Sequence, residues 1–145
     1  MTKTLLISGI AATLHVSALV LPASAQDDLG ARLSIELNQT ESRDAGCTLS
    51  FLVQNGHPTD VTRAVFETVL FDAAGQVERL TLFDFGTLPA GRPRLRQFVV
   101  PDAMCEDLGR VLINGAETCE AEGLSADACT RDLRLDSRVG IEVIG

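Results

Sequence analysis

From Leu33 to the end of the chain, apolar side chains recur at every second residue over most stretches. A segment with that period buries one side only when it lies extended in a sheet. “LSIELN” places Leu33, Ile35 and Leu37 on one side, and “CTLSFLVQN” does the same for Cys47, Leu49, Phe51 and Val53. “AVFETVLFD” is apolar on both parities, as a central strand is, and “DAAGQ” at residues 72–76 turns the chain back into “VERLTLFDF”. A helix is the rival for this stretch, but its β-branched and aromatic content and the glycine-containing turn favour strands. “LPAG” makes a further turn, and “RLRQFVV”, “GRVLI” and “RVGIEVI” follow, the last with Val139, Ile141 and Val143 on one side. The pattern predicts an all-β domain over residues 33–145, an antiparallel sandwich of about seven strands of the immunoglobulin-like or fibronectin-like kind.

The first 25 residues have a different pattern. Lys3 supplies a positive start, “LLISGIAATLHVSALVL” an apolar run, and “ASA” at residues 23–25 a small-residue cleavage site. These are the three parts of a signal peptide, so cleavage is expected after Ala25, with residues 26–32 as a flexible leader. Cleavage there leaves 120 of the 145 residues, enough for one core that buries roughly two-thirds of the unfolded surface. It removes one basic and no acidic residue, so 11 basic side chains face 20 acidic ones and the formal charge moves from −8 to −9. Such a balance repels nucleic acid and anionic lipid and suits a periplasmic or secreted protein, or one that meets a basic partner. No later apolar run approaches spanning length, so no membrane insertion is expected after cleavage.

Cys47, Cys105, Cys119 and Cys129 all follow the signal, an even number for an oxidising compartment, and two disulfides are expected. A zinc site would want C-x-x-C or paired histidines, and neither occurs. In an immunoglobulin-like order the second and sixth strands run in the same direction and begin at the same end. Cys47 opens the second expected strand and Cys105 precedes the sixth, so these two are expected to pair. A strand separates Cys105 from Cys119, too far for a bridge, which leaves Cys119 with Cys129 as a local staple. The connection 116–136 is long for a hairpin loop. Its stretch “SADACTRDLRL” is read as a helical turn capped by Ser125, while Asn114-Gly115 is a strong two-residue hairpin signal just before it.

The run “AVFETVLFDAAGQVERLTLFDFGTLPAGRPRLRQF”, with “CTLSFLVQN” before it and “GRVLINGAETC” after, resembles a family of short exported proteins of marine alphaproteobacteria labelled Tat pathway signal sequence domain proteins. The resemblance covers most of the expected mature chain and implies export. It carries no activity to any residue, and the n-region here reads “MTK”, without a twin arginine.

No catalytic motif stands out. His57 in “NGHPTD” is the one histidine after the signal, and a lone loop histidine gives neither a triad spacing nor a metal pair, so it is read as a surface turn residue. Glu67, Asp72, Glu78 and Asp84 are read as solvated face and turn positions rather than as a hydrolytic carboxylate pair. Five phenylalanines are assigned to the core, and Phe85 is singled out as the candidate for exposure. Arg92, Arg94 and Arg96 alternate along “GRPRLRQF” and share a parity with Phe98 and Val100, a conflict that a bulge near Gln97 or a strand switching sheets would resolve, either way turning the arginines outward. They are one candidate partner-binding surface or an edge guard. Glu117, Glu120, Glu122 and Asp127 in the long loop are the other candidate.

The function expected is a non-enzymatic protein-binding or adaptor module of the cell envelope, with no cofactor and another envelope protein as partner. The alternative is an inhibitor of a basic hydrolase such as lysozyme or a protease, and a small hydrolase comes third. Mass spectrometry of the cellular protein is expected to find the N-terminus at Gln26; intact Met1 as the main form would overturn the signal-peptide reading.

Overall fold

Alternating burial is realised in eight strands of a computed structural model that describes residues 29–44 and 46–145. The expected signal peptide and the start of the expected leader lie outside the described residues. The strands are β1 (Leu33–Arg43), β2 (Gly46–Asn55), β3 (Val61–Asp72), β4 (Val77–Leu88), β5 (Arg94–Pro101), β6 (Leu108–Glu120), β7 (Arg134–Ser137) and β8 (Glu142–Ile144). They form two four-stranded sheets, one in the order β5-β2-β1-β7 and the other β4-β3-β6-β8. The result is the expected all-β sandwich with two disulfides, its first, second and fifth strands in one sheet and its third, fourth and sixth in the other.

Each sheet turns one parity inward. Leu33, Ile35 and Leu37 of β1 and Leu49, Phe51 and Val53 of β2 meet Phe66, Leu70, Phe83, Phe85 and Val111 from the opposite sheet, all with almost no exposed surface. Phe85 is fully buried, which corrects the expectation that it would be the exposed phenylalanine. The inner parity of β4 runs on from Phe83 through Phe85, so the strand does not break there.

Two glycines are required by close approach. A side-chain carbon on Gly56 would lie 2.1 Å from the Gly30 carbonyl, and one on Gly46, whose φ is +132°, would lie 2.1 Å from the Val100 carbonyl. Gly56 N–H donates to the Arg32 carbonyl at 2.9 Å, so the end of the expected leader is tied to the loop after β2.

The closing segment departs from the seven-strand expectation. After the stapled loop the chain lays β7 parallel to β1 and then β8 parallel to β6. “RVGIEVI” therefore supplies only the three-residue β8, and “RLDS” before it is the additional strand. Arg138 clasps this segment to β1 through Glu36 at 2.8 Å; the hydrogen bonds from Arg138 and Asn38 hold that carboxyl below its usual range. Asn114-Gly115 makes no hairpin turn: β6 runs straight through it, with Gly115 opposite Glu67 and Ile113 opposite Thr68. The register shifts beside Gly115, and pairing continues to Glu120. Of “SADACTRDLRL”, residues 126–132 form consecutive turns, one of them closed like a helical turn by Arg131 N–H on the Asp127 carbonyl at 2.7 Å, and Arg134 and Leu135 already belong to β7.

The disulfides connect Cys47 with Cys105 and Cys119 with Cys129, at Cα separations of 4.9 and 5.9 Å. The first confirms that β2 and β6 start at the same end of the sandwich. Because the bridges close chain segments of 58 and 10 residues, their effects on the unfolded chain should differ, at about 4 and about 3 kcal/mol. Denaturant unfolding of Cys47→Ala/Cys105→Ala and Cys119→Ala/Cys129→Ala double variants is expected to show the larger loss for the first. The opposite order would contradict this account.

Candidate functional site

Asn55, at the end of β2, organises one end of the sandwich. Its amide nitrogen donates to the Thr59 and Leu88 carbonyls at 2.9 and 2.8 Å, its side-chain oxygen accepts from His57 N–H at 2.9 Å, and its carbonyl accepts from Gly91 N–H at 2.7 Å. The buried side chain thus fixes the 56–60 loop and the end of β4, and the backbone carbonyl of the same residue holds the turn that leads to the arginines. Sequence reasoning passed over Asn55, the last residue of “CTLSFLVQN”.

His57 is not the surface turn residue expected. It is buried, and its ring Nε2 lies 2.8 Å from the Ala128 carbonyl. A carbonyl only accepts, so Nε2 carries the proton and donates. The contact joins the 56–60 loop to the stapled loop 71 residues further on, with Ala128 and Cys129 both buried beside it. His57 thus has a structural partner in the Ala128 carbonyl.

The arginine row also differs from expectation. β2 and β5 pair without a register shift from Gly46–Pro101 to Val53–Arg94, so no bulge lies near Gln97. Arg94 and Arg96 therefore keep the parity of Phe98 and Val100 and turn toward the opposite sheet. Arg96 reaches across the open side of the sandwich. Its Nε donates to the Phe85 carbonyl at 2.6 Å and one terminal nitrogen to the Thr87 carbonyl at 3.0 Å. Arg94 is half-buried and bonds the neighbouring Pro93 carbonyl, and Arg92 is exposed in the turn before β5. The three do not form one outward patch.

What the outer faces expose instead is apolar. On the first sheet Leu52 of β2 sits opposite Leu95 of β5, with Val99 further along, and all three are exposed. On the second, Leu80 and Leu82 of the edge strand β4 are more than half exposed beside Val69 and Glu67 of β3. Val77, at the start of β4, is equally open. Period-two reading could have found these positions, since Leu80, Leu82, Leu95 and Val99 lie on the parity opposite the core residues of their strands.

The acidic candidates lie on and beside the stapled loop. Glu117 and Glu120 are exposed on the end of β6, Glu122 follows, and none of the three has an ion pair among the described residues. Asp127 is engaged: Arg131 grips it with bonds of 2.7–2.9 Å, and hydrogen bonds from Ser125 and Arg131 hold its carboxyl below the usual range. No group of three or more His, Cys, Asp or Glu side chains able to hold a metal ion occurs among the described residues.

The contacts of Arg96 generate a test that separates the three arginines. Arg96→Gln loses charged hydrogen bonds to two carbonyls of β4 and is expected to lower stability by about 1–2 kcal/mol. Arg92→Gln and Arg94→Gln should stay within about 0.5 kcal/mol. Urea unfolding midpoints of the three single variants decide; equal effects would mean that Arg96 does not tie the sheets. Comparison with known proteins finds no matching family model, curated protein or solved structure.

Proposed function

We propose that this chain is a non-enzymatic protein-binding or adaptor module of the cell envelope that works in the periplasm after removal of its signal peptide. The two disulfides belong to a chain folded in an oxidising compartment, which agrees with export. The resemblance to short exported alphaproteobacterial proteins points the same way. The observation that carries the binding function is the exposed apolar row on β4, where Val77, Leu80 and Leu82 open to solvent beside a free strand edge. Monomeric surfaces seldom leave contiguous apolar area uncovered, and a free edge strand offers backbone groups for pairing as well. The partner is another envelope protein that presents an apolar strand or face.

A second reading is favoured by the unpaired Glu117, Glu120 and Glu122 around the disulfide-stapled loop. They give the chain a negative surface suited to inhibiting a basic hydrolase. The two readings use different residues and can be separated.

Affinity capture from a periplasmic extract, with rebinding of the purified partner, tests both. Leu80→Ser/Leu82→Ser changes exposed side chains only, so the variant is expected to fold and to lose the partner roughly tenfold or more. Glu117→Gln/Glu120→Gln/Glu122→Gln is expected to retain it. The reverse pattern, with a basic hydrolase as the bound protein, would replace the adaptor reading by the inhibitor one.

A further inference from the structure

We infer that the chain associates with a second copy of itself through the free edge of β5, joining the two β5 strands antiparallel about Gln97 into one continuous eight-stranded sheet. This goes beyond the adaptor reading and uses a different edge. β5 ends its sheet, and among the described residues only β2 pairs with it, from Arg94 to Pro101. Its other side carries backbone donors and acceptors that a strand could take up.

The segment around this edge is self-complementary. In “RPRLRQFVVPD”, residues 92–102, an antiparallel pairing centred on Gln97 sets Leu95 opposite the partner's Val99 and Pro93 level with the partner's Pro101, and it leaves Arg92 and the partner's Asp102, both in turns just outside β5, at the same end of the ladder. Gln97 meets the partner's Gln97. The pairing serves each position. Arg92 and Asp102 are exposed, of opposite charge and without an ion pair among the described residues. Proline cannot donate to a ladder, and the two prolines fall outside the seven residues that do pair. Leu95 and Val99, 54% and 55% exposed, are covered by each other twice over, with Leu52 extending the apolar strip on both copies.

Neighbouring registers are worse. Centring the axis on Arg96 sets two guanidiniums directly opposite, and centring it on Phe98 brings Pro101 into the ladder opposite the partner's Leu95. The same physics that disfavours these slips selects Gln97. A two-fold axis through that residue, normal to the sheet, is a closed isologous contact and does not propagate into fibres. The arginines allow it. Arg94 and Arg96 turn inward, and Arg96 is held on the Phe85 and Thr87 carbonyls, so neither guards the outer face of the edge. The Leu95 carbonyl accepts from Arg96 Nη1 at 3.1 Å and keeps a second lone pair for a strand.

The axis also keeps both β4 sheets on one side of the joined sheet, so the dimer would present two copies of the exposed β4 row together. A partner with two matching sites would gain avidity from that arrangement.

Sedimentation velocity of the chain with its native disulfides intact is expected to show a concentration-dependent monomer–dimer equilibrium. Gln97→Glu places two carboxylates face to face only in the dimer, and in the monomer it exchanges the amide that donates to Ser50 Oγ at 3.0 Å for a carboxylate that can accept from the same hydroxyl. It is expected to weaken the dimer roughly tenfold or more with unchanged circular dichroism and, at dilutions where both chains are monomeric, closely similar melting. Register is read by cysteine crosslinking. Gln97→Cys should form a disulfide-linked dimer on mild oxidation, because directly opposed Cα atoms lie about 4.5–5.5 Å apart, within bridging range. Leu95→Cys should not, since the two copies of residue 95 would stand about 13 Å apart along the strand. A monomer across the accessible concentration range, a dimer indifferent to Gln97→Glu, or crosslinking at Leu95 instead of Gln97 would each overturn the proposal. Partner capture by the β4 row is read independently through Leu80→Ser/Leu82→Ser.

Discussion

No ladder joins the two sheets among the described strands, so a cluster of phenylalanines has to hold them face to face. Phe51 and Phe98 come from one sheet, Phe66, Phe83 and Phe85 from the other. Phe98 stacks on Phe83 with ring centroids 4.2 Å apart, Phe51 meets Phe83 and Phe85 at 5.9 and 5.8 Å, and Phe66 meets Phe85 edge-on. Such pairs add about 0.5–1.5 kcal/mol each beyond the area they bury. With no tryptophan or tyrosine in the chain, these rings are the large aromatic side chains available to fill the space between the sheets. The Cys47–Cys105 bridge then limits the unfolded ensemble at one end of the sandwich, and Asn55 fixes the loops at the end where β2 finishes.

The cluster reaches the open side of the sandwich, where β4 and β5 are both edges. Phe83 and Phe98 meet there, and beyond them Arg96 replaces ring contacts with hydrogen bonds to β4 carbonyls. The edge is therefore closed on the inside by aromatic and guanidinium contacts, while its two outer faces remain apolar and uncovered. Natural edges are usually blunted by lysine, proline or outward charge. This chain has no lysine after Lys3, and its two central edge arginines point in. Both outer rows are thus left available for pairing, which links the partner surface on β4 and the self-pairing surface on β5 to a single feature of the fold.

The architecture and both disulfides were legible because they rest on periodicity and strand direction, which are properties of the one-dimensional pattern. Asn114-Gly115 left the path of the chain open in the sequence because local turn propensity competes with pairing along the whole of β6, and β3 supplies partners on both sides of that dipeptide. The eighth strand was missed because β7 is short, half exposed and alternates “RLDS” without a strong apolar row. His57 was misread and Asn55 passed over for a different reason. Their hydrogen bonds run to the Ala128 and Leu88 carbonyls, 71 and 33 residues away, and a backbone acceptor leaves no trace in side-chain pattern.

The arginine row shows how strict alternation and burial can disagree without a bulge. Inner-facing positions of β5 change from buried Val100 through half-buried Phe98 to half-buried Arg96 and Arg94, so burial falls along the strand while parity stays constant. A guanidinium is tolerated at such a rim because its stem covers apolar surface and its head finds acceptors at the margin. Here the acceptors are carbonyls of an edge strand, which lacks a neighbour on that side. The sequence conflict between arginine and phenylalanine on one parity was therefore a sign of a rim, and the side of β5 that carries Leu95, Gln97 and Val99 is the one left for another chain.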